Sequence, residues 1–300
     1  MIRLALRELH GGEVLARSVV NPQKPADPLL KAGRELRERV IRLLERIGVR
    51  TVWVEVKGLE QSGPALDEAL LATFRELVQA LGATHARARK EELAEEALNA
   101  FRQKVVRFHE QLQHVGPAFV RLDDLHTEPE DIRFHGANVC QLALLTAAAL
   151  ARRDGTELGE ADIAQLGLGA LLHEIGKAAL PPELLTKEAW DLSQREAKEI
   201  ESYPSKGFRL LRPRVGAIAA NVALCHQLFV DGSGFPQEIE ESGSHLPGGE
   251  SVHRFSRIVS LAKAFDTLVT REDYLPIEAL EELNCARAQQ FDPAVLAAFN

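Results

Sequence analysis

Three histidines, His135, His173 and His226, each sit inside an otherwise apolar stretch that reads as helix. Such groups are rarely placed in runs of this kind unless something pairs or ligates them. His173 lies in Leu166–Pro182, LGLGALLHEIGKAALPP, beside Glu174 and one turn before Lys177; Gly176 and then Pro181 and Pro182 close the segment. An imidazole and a carboxylate side by side suit a divalent metal ion, and a lysine nearby suits an anionic substrate. Glu174 and Lys177 could equally neutralise one another in a half-buried polar stripe. His135 follows Asp131 by one turn, and His226 falls in VALCHQLFVDGSGFP. A lone histidine on an apolar helix face is most often a core group with its hydrogen bonds met; three of them with a carboxylate point to a site. Their rings are expected within about 12 Å of one another, because ligation at roughly 2 Å demands convergence.

The elements that must position these residues are mostly helices. From residue 116 onward the pattern predicts helices over Glu130–Arg153, Glu160–Gly176, Lys187–Ser202, Pro213–Val230, Glu250–Thr270, Ile277–Ala286 and from Pro293. The loop Asp231–Gly249 is rich in Gly, Pro and Ser. Residues 64–114 read as two helical segments broken near Gly82. In the second, Ala94, Leu98, Phe101, Val105, Phe108 and Leu112 form a heptad-like stripe, expected to bury itself on the next domain or across a dimer two-fold. Residues 1–58 read as a small α+β module. Its expected strands are Ile2–Leu6 and Glu13–Val20 around Gly11-Gly12, a third near Leu29-Leu30, and Val49–Val56; the helix Glu35–Ile47 is ended by Gly48. Gly58–Gly63 reads as a linker. The expected domains are therefore 1–58, a helical linker 59–114, and a helical domain 115–300.

The chain has 300 residues, 45% hydrophobic and 27% charged, with a formal charge of -8. That is an ordinary globular composition without the basic face that a nucleic-acid polymer needs, though a local basic pocket for a small phosphate ligand is compatible with it. Cys140, Cys225 and Cys285 are too few and too scattered for a disulfide framework or a paired-cysteine zinc site, so a cytoplasmic setting is expected. The start lacks the apolar core of a signal peptide, and no apolar run is expected to span a bilayer; Gln141–Ala151, the most apolar stretch, fits a buried helix.

Taken in order, FHGANVCQLA, HEIGKAALPPELLTK, YPSKGFRLL, DGSGFP, RIVSLAKAFDTLVT and FDPAVLAAF resemble the HD-GYP family, a branch of the HD-type metal-dependent phosphohydrolases that opens cyclic di-GMP. The resemblance covers roughly residues 119–299, and residues 1–58 resemble, more weakly, a small domain often fused ahead of it. It implies a mainly α chain, an HD-type helical bundle preceded by a small α+β module and linker helices. It also implies a site of two or three iron or manganese ions that activate water and clamp the phosphodiester. His135, His173, Glu174 and His226 would be metal ligands, with Asp131 near a further carboxylate position. Lys177 would face the phosphate, and Asp231, Gly232, Ser233, Gly234, Phe235 and Pro236 would form the GYP loop, with Phe235 in place of tyrosine.

Departures from the family pattern weaken that site. Glu174 replaces an aspartate, Tyr203 and Gln227 replace histidines, and Leu228 a glutamate. Lys263 stands where the family has a ligand aspartate, and Asp266 matches the next aspartate, which is not a ligand. Glu272 and Asp273 replace an Arg-Pro pair used on the ligand's phosphates. The expectation is a divergent member with lost or much reduced phosphodiesterase activity, holding no ion or at most one, and acting by binding cyclic di-GMP or signalling proteins, with a homodimer as one mode of assembly. Alternatives are an active phosphodiesterase using a reduced ligand set and a single-metal phosphoesterase. Lys263 is expected to bond Glu174 as a built-in cation.

Overall fold

Alternating valines and amphipathic helix patterns both find their expected places in a computed structural model, which describes residues 2–19, 28–55, 68–90, 93–115, 132–187, 189–239, 244–246, 248–270 and 274–300. Asp131, Glu272 and Asp273 lie outside these residues. The chain divides into two units: residues 1–66 with 268–281, and residues 67–267 with 282–300.

In the first unit, β1 (Ile2–Ala5) pairs antiparallel with β2 (Thr51–Val54), Leu4 facing Val52 and Ile2 facing Val54. Val52 and Val54 point to one face, where they pack with Leu6, Leu9, Leu15 and Leu36 and with Ile41 and Leu44 of α1 (Glu38–Arg46). The expected strand Glu13–Val20 is present only as isolated bridges, Val14 to Glu35, Leu15 to Val54 and Val19 to Leu30. Within the same unit, Arg7 pairs with Glu278 at 2.7 Å and the Arg50 guanidinium lies 4.5 Å over the Tyr274 ring.

The second unit is helical. Its elements are α2 (Glu68–Ala88), α3 (Glu95–Val115), α4 (Ile132–Asp154), α5 (Glu160–Leu172), a 3-10 turn Ile175–Ala179, α6 (Pro182–Leu185), α7 (Gln194–Glu201), α8 (Tyr203–Leu211), α9 (Ala217–Cys225), α10 (Arg254–Thr270, whose last residues fall in the first unit), then α11 (Pro276–Asn284), shared between the units, and α12 (Pro293–Phe299). A two-residue hairpin, β3 (Glu238–Ile239) and β4 (Ser244–His245), interrupts the helical pattern. At the centre is α5, packed against α3, α4 and α9. Its glycine-rich sequence lets those neighbours approach, and Leu166, Leu168, Leu171 and Leu172 are buried.

Several boundaries differ from the sequence reading for local reasons. Gly82 does not break α2. A helix tolerates one interior glycine at about 1 kcal/mol, and here the missing side chain leaves room for Arg133. The expected helix over Lys187–Ser202 starts only at Gln194, where Ser193 and Glu196 form a reciprocal capping box. Tyr203–Leu211 is a separate helix with Pro204 in its first turn, a place proline favours. The helix carrying His173 ends at Leu172, so His173 and Glu174 occupy the turn that follows. By length and composition α4 could cross a bilayer, contrary to expectation, but 78% of the window concerned is buried in the fold, as in a core helix.

The heptad-like stripe is buried within the chain. Leu98, Phe101, Val105, Phe108 and Leu112 pack α3 against α2 and α5, and the Phe74 and Phe108 rings lie 6.1 Å apart. Docking therefore satisfies this face without a second copy. Phe101→Ala is expected to destabilise the helical unit by about 3–5 kcal/mol through loss of burial and a residual cavity, read as a lower urea midpoint by far-UV circular dichroism.

Candidate metal centre

Four elements deliver the pocket. His135 comes from the first turns of α4, His173 and Glu174 from the turn after α5, Lys177 from the 3-10 turn, and His226 from the residue after α9. The backbone packing that brings them together is close. A β-carbon at Gly136 would lie 2.9 Å from the Leu171 carbonyl oxygen, and one at Gly176 would lie 1.9 Å from the Tyr203 carbonyl oxygen. Glycine at these positions lets α4 meet α5, and the 3-10 turn meet α8.

The three imidazoles converge as expected. His135 and His173 ring centroids are 5.1 Å apart, and His173 and His226 are 4.9 Å apart. All three side chains are buried. Each ring has Nδ1 committed: His135 to Asp266 Oδ2 at 2.6 Å, His173 to the Ala170 carbonyl at 2.7 Å, and His226 to the Ala223 carbonyl at 2.9 Å. These acceptors require an N–H at Nδ1, which leaves the lone pair of a neutral ring on Nε2. Asp266 also accepts from Asn138 Nδ2 at 2.8 Å. A carboxylate behind a histidine in this way fixes tautomer and orientation, as it does behind metal ligands.

His135, His173 and Glu174 each offer a ligand atom, all within 4.8 Å of one another. His135 Nε2, His173 Nε2 and Glu174 Oε2 are buried without a hydrogen-bond partner among the described residues. Leaving buried acceptors unmet costs about 1–3 kcal/mol each, so this donor set fits a cation. Two nitrogens and a carboxylate oxygen suit a first-row divalent ion.

His226, by contrast, is engaged by the protein's own groups. Tyr203 donates its hydroxyl hydrogen to His226 Nε2 at 2.7 Å, and Gln227 Nε2 donates to the same hydroxyl oxygen at 3.0 Å. Phe235 meets the Tyr203 ring edge-on at 6.1 Å. The ammonium bonded to Glu174 is that of Lys177, 2.6 Å from Oε1 and 5.2 Å from the Tyr203 ring centre. Lys177, three residues along the chain, is in direct reach of Glu174, and half-buried Lys263, expected to act on Glu174 as a built-in cation, also lowers its pKa as a nearby positive charge.

Electrostatics follow from this packing. Burial acts to raise the Glu174 pKa, but Lys177, His135, His173 and Lys263 outweigh it and hold the carboxyl well below its ordinary range. Burial, and after it the His226 imidazole, keep His173 well below the usual histidine value. Burial, aided by Lys263 and Lys177, brings His226 down to about 3.

The loop residues stand apart from this cluster chemically. Asp231 is exposed, and its carboxylate accepts from the Ser233 amide and hydroxyl at 2.9 and 2.6 Å. Gly232 and Ser233 are exposed, while Gly234, Phe235 and Pro236 are half-buried, with the Phe235 amide bonded to the Gln227 carbonyl at 3.1 Å. Asp266 was passed over as a site residue, although its place between Phe265 and Leu268 on an apolar helix signalled burial. His85 of α2 was also missed. Its Nδ1 meets the Leu81 carbonyl at 3.0 Å, its Nε2 is buried and unpartnered among the described residues, and the charges of Glu174 and Lys177 act on it.

An HD-domain family model matches residues 127–295. A cyclic di-GMP phosphodiesterase of Pseudomonas aeruginosa is 29% identical over 191 residues, 61% of this chain and 42% of that protein. One of Thermotoga maritima is 30% identical over 159 residues, 50% of this chain and 41% of that protein. The chain thus spans about two fifths of the length of these curated relatives. Among solved structures, an HDG"Y"P protein from Bdellovibrio bacteriovorus superposes with a TM-score of 0.58 at 18% identity, over 100% of this chain and 98% of that one, a likeness of fold.

The depressed histidines set an acid dependence. As pH falls from about 6.5 toward 3, the unfolded chain takes up protons that the buried rings refuse, so stability falls; below 4.5 Glu174 acts in the same direction. Urea denaturation at pH 5.5 should show the helical unit about 1 kcal/mol less stable than at pH 7 for each such histidine, with a smaller difference in His226→Gln.

Proposed function

The chain belongs to the HD-domain family, in its HD-GYP branch, and from that premise we propose that it is a divergent member with lost or much reduced phosphodiesterase activity, which works in cyclic di-GMP signalling by binding. The observation that carries this reading is the internal capping of the donor set: Tyr203 on His226 and Lys177 on Glu174. A hydrolytic site of two ions needs more free donors than His135, His173 and Glu174 provide. The ligand class is a cyclic dinucleotide, the named substrate of the related enzymes, or a protein partner. Lys177, Asp231 and the Gly232–Pro236 loop are the residues proposed to meet it. At most one ion belongs to this reading, as do a cytoplasmic setting, the boundaries 1–58, 59–114 and 115–300, and homodimerisation as one way of acting. The three free thiols, Cys140, Cys225 and Cys285, agree with a reducing compartment.

When bound, an ion at His135, His173 and Glu174 would supply Lewis-acid polarisation of a phosphate oxygen. Asp266 holds the His135 ring so that Nε2 presents its lone pair. Lys177 holds one Glu174 oxygen and leaves the other available.

A second reading, a single-ion phosphoesterase, is favoured by the three unpartnered donor atoms. The full chain should bind cyclic di-GMP or a protein partner while hydrolysing the nucleotide no faster than background in iron(II) or manganese(II), followed by chromatography of products. Turnover at or above about 1 per second, ordinary for an enzyme, would reject the binding reading. Metal-dependent cleavage of p-nitrophenyl phosphate that is lost in His173→Ala would select the second.

A further inference from the structure

We infer that the outer face of α1, made of Arg39, Arg42, Leu43, Arg46 and Ile47, is a docking surface for an acidic protein partner that presents apolar side chains flanked by carboxylates. The face belongs to the first unit and uses none of the pocket residues. It deepens the reading of the chain as one that acts by binding, by naming the chemistry of a protein partner and the surface it meets.

The sequence of α1 supplies more apolar residues than its own core uses. Ile41 and Leu44 are buried in the cluster that holds Leu15, Leu36, Val52 and Val54. Leu43 and Ile47, one turn apart, are 56% and 52% exposed. Leu43 points about 100° around the helix from Leu44 and farther still from Ile41, so no rotation of α1 buries both pairs in one core. Arg39 lies four residues before Leu43 and Arg46 three after it, which puts both arginines on its face, and Arg42 stands at the edge. A single exposed leucine is ordinary on a protein surface. An exposed pair among arginines, on a chain of net negative charge, is a patch with a chemistry of its own.

That chemistry is set by charge. Between residues 31 and 50 the chain carries seven Lys and Arg against three Asp and Glu, although its formal charge overall is -8. All ten of these side chains are exposed. Glu38 faces Arg42 at 3.6 Å with both groups in water, an ion pair that contributes little and yields readily to a partner. The basic groups of the face are all arginines, whose guanidinium fork matches a carboxylate where a lysine offers a point charge. An apolar centre with an arginine rim is the make-up of a protein-docking patch. Two apolar side chains are too few to seat a helix in a lipid surface, and a nucleic-acid backbone offers phosphates but nothing apolar to meet Leu43 and Ile47. Like charge opposes the same face of a second copy. The complement is a protein surface with Asp and Glu around apolar side chains.

The probe is a fluorescein-labelled helical peptide with leucines along one face and glutamates beside them, read by anisotropy with the full chain; a control peptide has lysines in place of the glutamates. The acidic peptide should bind, more weakly as salt rises, and the lysine peptide should not. Leu43→Ser, and Arg39→Gln combined with Arg46→Gln, should each weaken binding about tenfold or more. Their circular dichroism should match the wild type, because all three side chains are exposed. Arg152→Gln combined with Arg195→Gln, which removes two exposed arginines of the helical unit, should bind as the wild type does. No binding of the acidic peptide, equal binding of both peptides, undiminished binding in Leu43→Ser, or an equal loss in the Arg152→Gln and Arg195→Gln variant would each overturn the inference. So would tighter binding to phosphatidylglycerol vesicles or to duplex DNA, which would give the face to a different partner. Hydrolysis of cyclic di-GMP bears on the pocket alone, so failure of the peptide test and failure of the binding reading are told apart.

Discussion

The pocket depends on backbones that approach too closely to admit a β-carbon. At Gly136 the first turns of α4 rest against the carbonyl of Leu171, and at Gly176 the 3-10 turn rests against the carbonyl of Tyr203 and the amide of Gly207. These contacts set the reach between groups that are otherwise far apart in sequence. An alanine at position 176 would have to push the turn away from α8 by more than side-chain adjustment allows, because the obstacle is backbone. Lys177 and Glu174 would move with that turn, and Tyr203 would lose the surface that keeps it beside His226. Residues without polar side chains thus decide the positions of the polar ones.

Given that frame, the buried polar cluster is tolerable because most of its charge is cancelled locally. His173 and His226 are neutral rings whose N–H groups are met by carbonyls of the preceding turn. Glu174 has an ammonium at 2.6 Å. Asp266 is met by an imidazole N–H and an amide. What remains uncompensated is a set of acceptor atoms facing one another. Like acceptors turned inward contribute nothing to folding, and a core optimised for stability alone would replace them with carbon.

Much of this was legible in the sequence, where short-range physics decided it. His135, His173 and His226 stood out because imidazoles are costly in apolar helical runs, and their shared pocket follows from that cost. The α3 stripe was legible from its spacing, though spacing alone could not choose between docking and dimerisation. The Glu174–Lys177 pair was visible as a one-turn spacing, and the resemblance to a family drew attention to Lys263 instead. Tyr203 was legible as a departure from a pattern but not as a hydrogen-bond donor, because nothing local links positions 203 and 226. Asp266 escaped for the same reason: its partners lie on another helix. The helix Tyr203–Leu211 carried its own start signal in Pro204, which a reading by hydrophobic period alone passes over.

The bond between His135 and Asp266 joins residues 131 positions apart, whereas Tyr203 and His226 are separated by 23 and Glu174 and Lys177 by 3. The cost of closing a loop grows with its length, though slowly, and local pairings form first. The Glu174–Lys177 and Tyr203–His226 pairs lie within the stretch from α5 to α9, whereas the orientation of His135 rests on Asp266 of α10. The orientation of one donor in the pocket is thus tied to the longest of these loop closures, and any change that weakens the seat of α10 reaches His135 through Asp266.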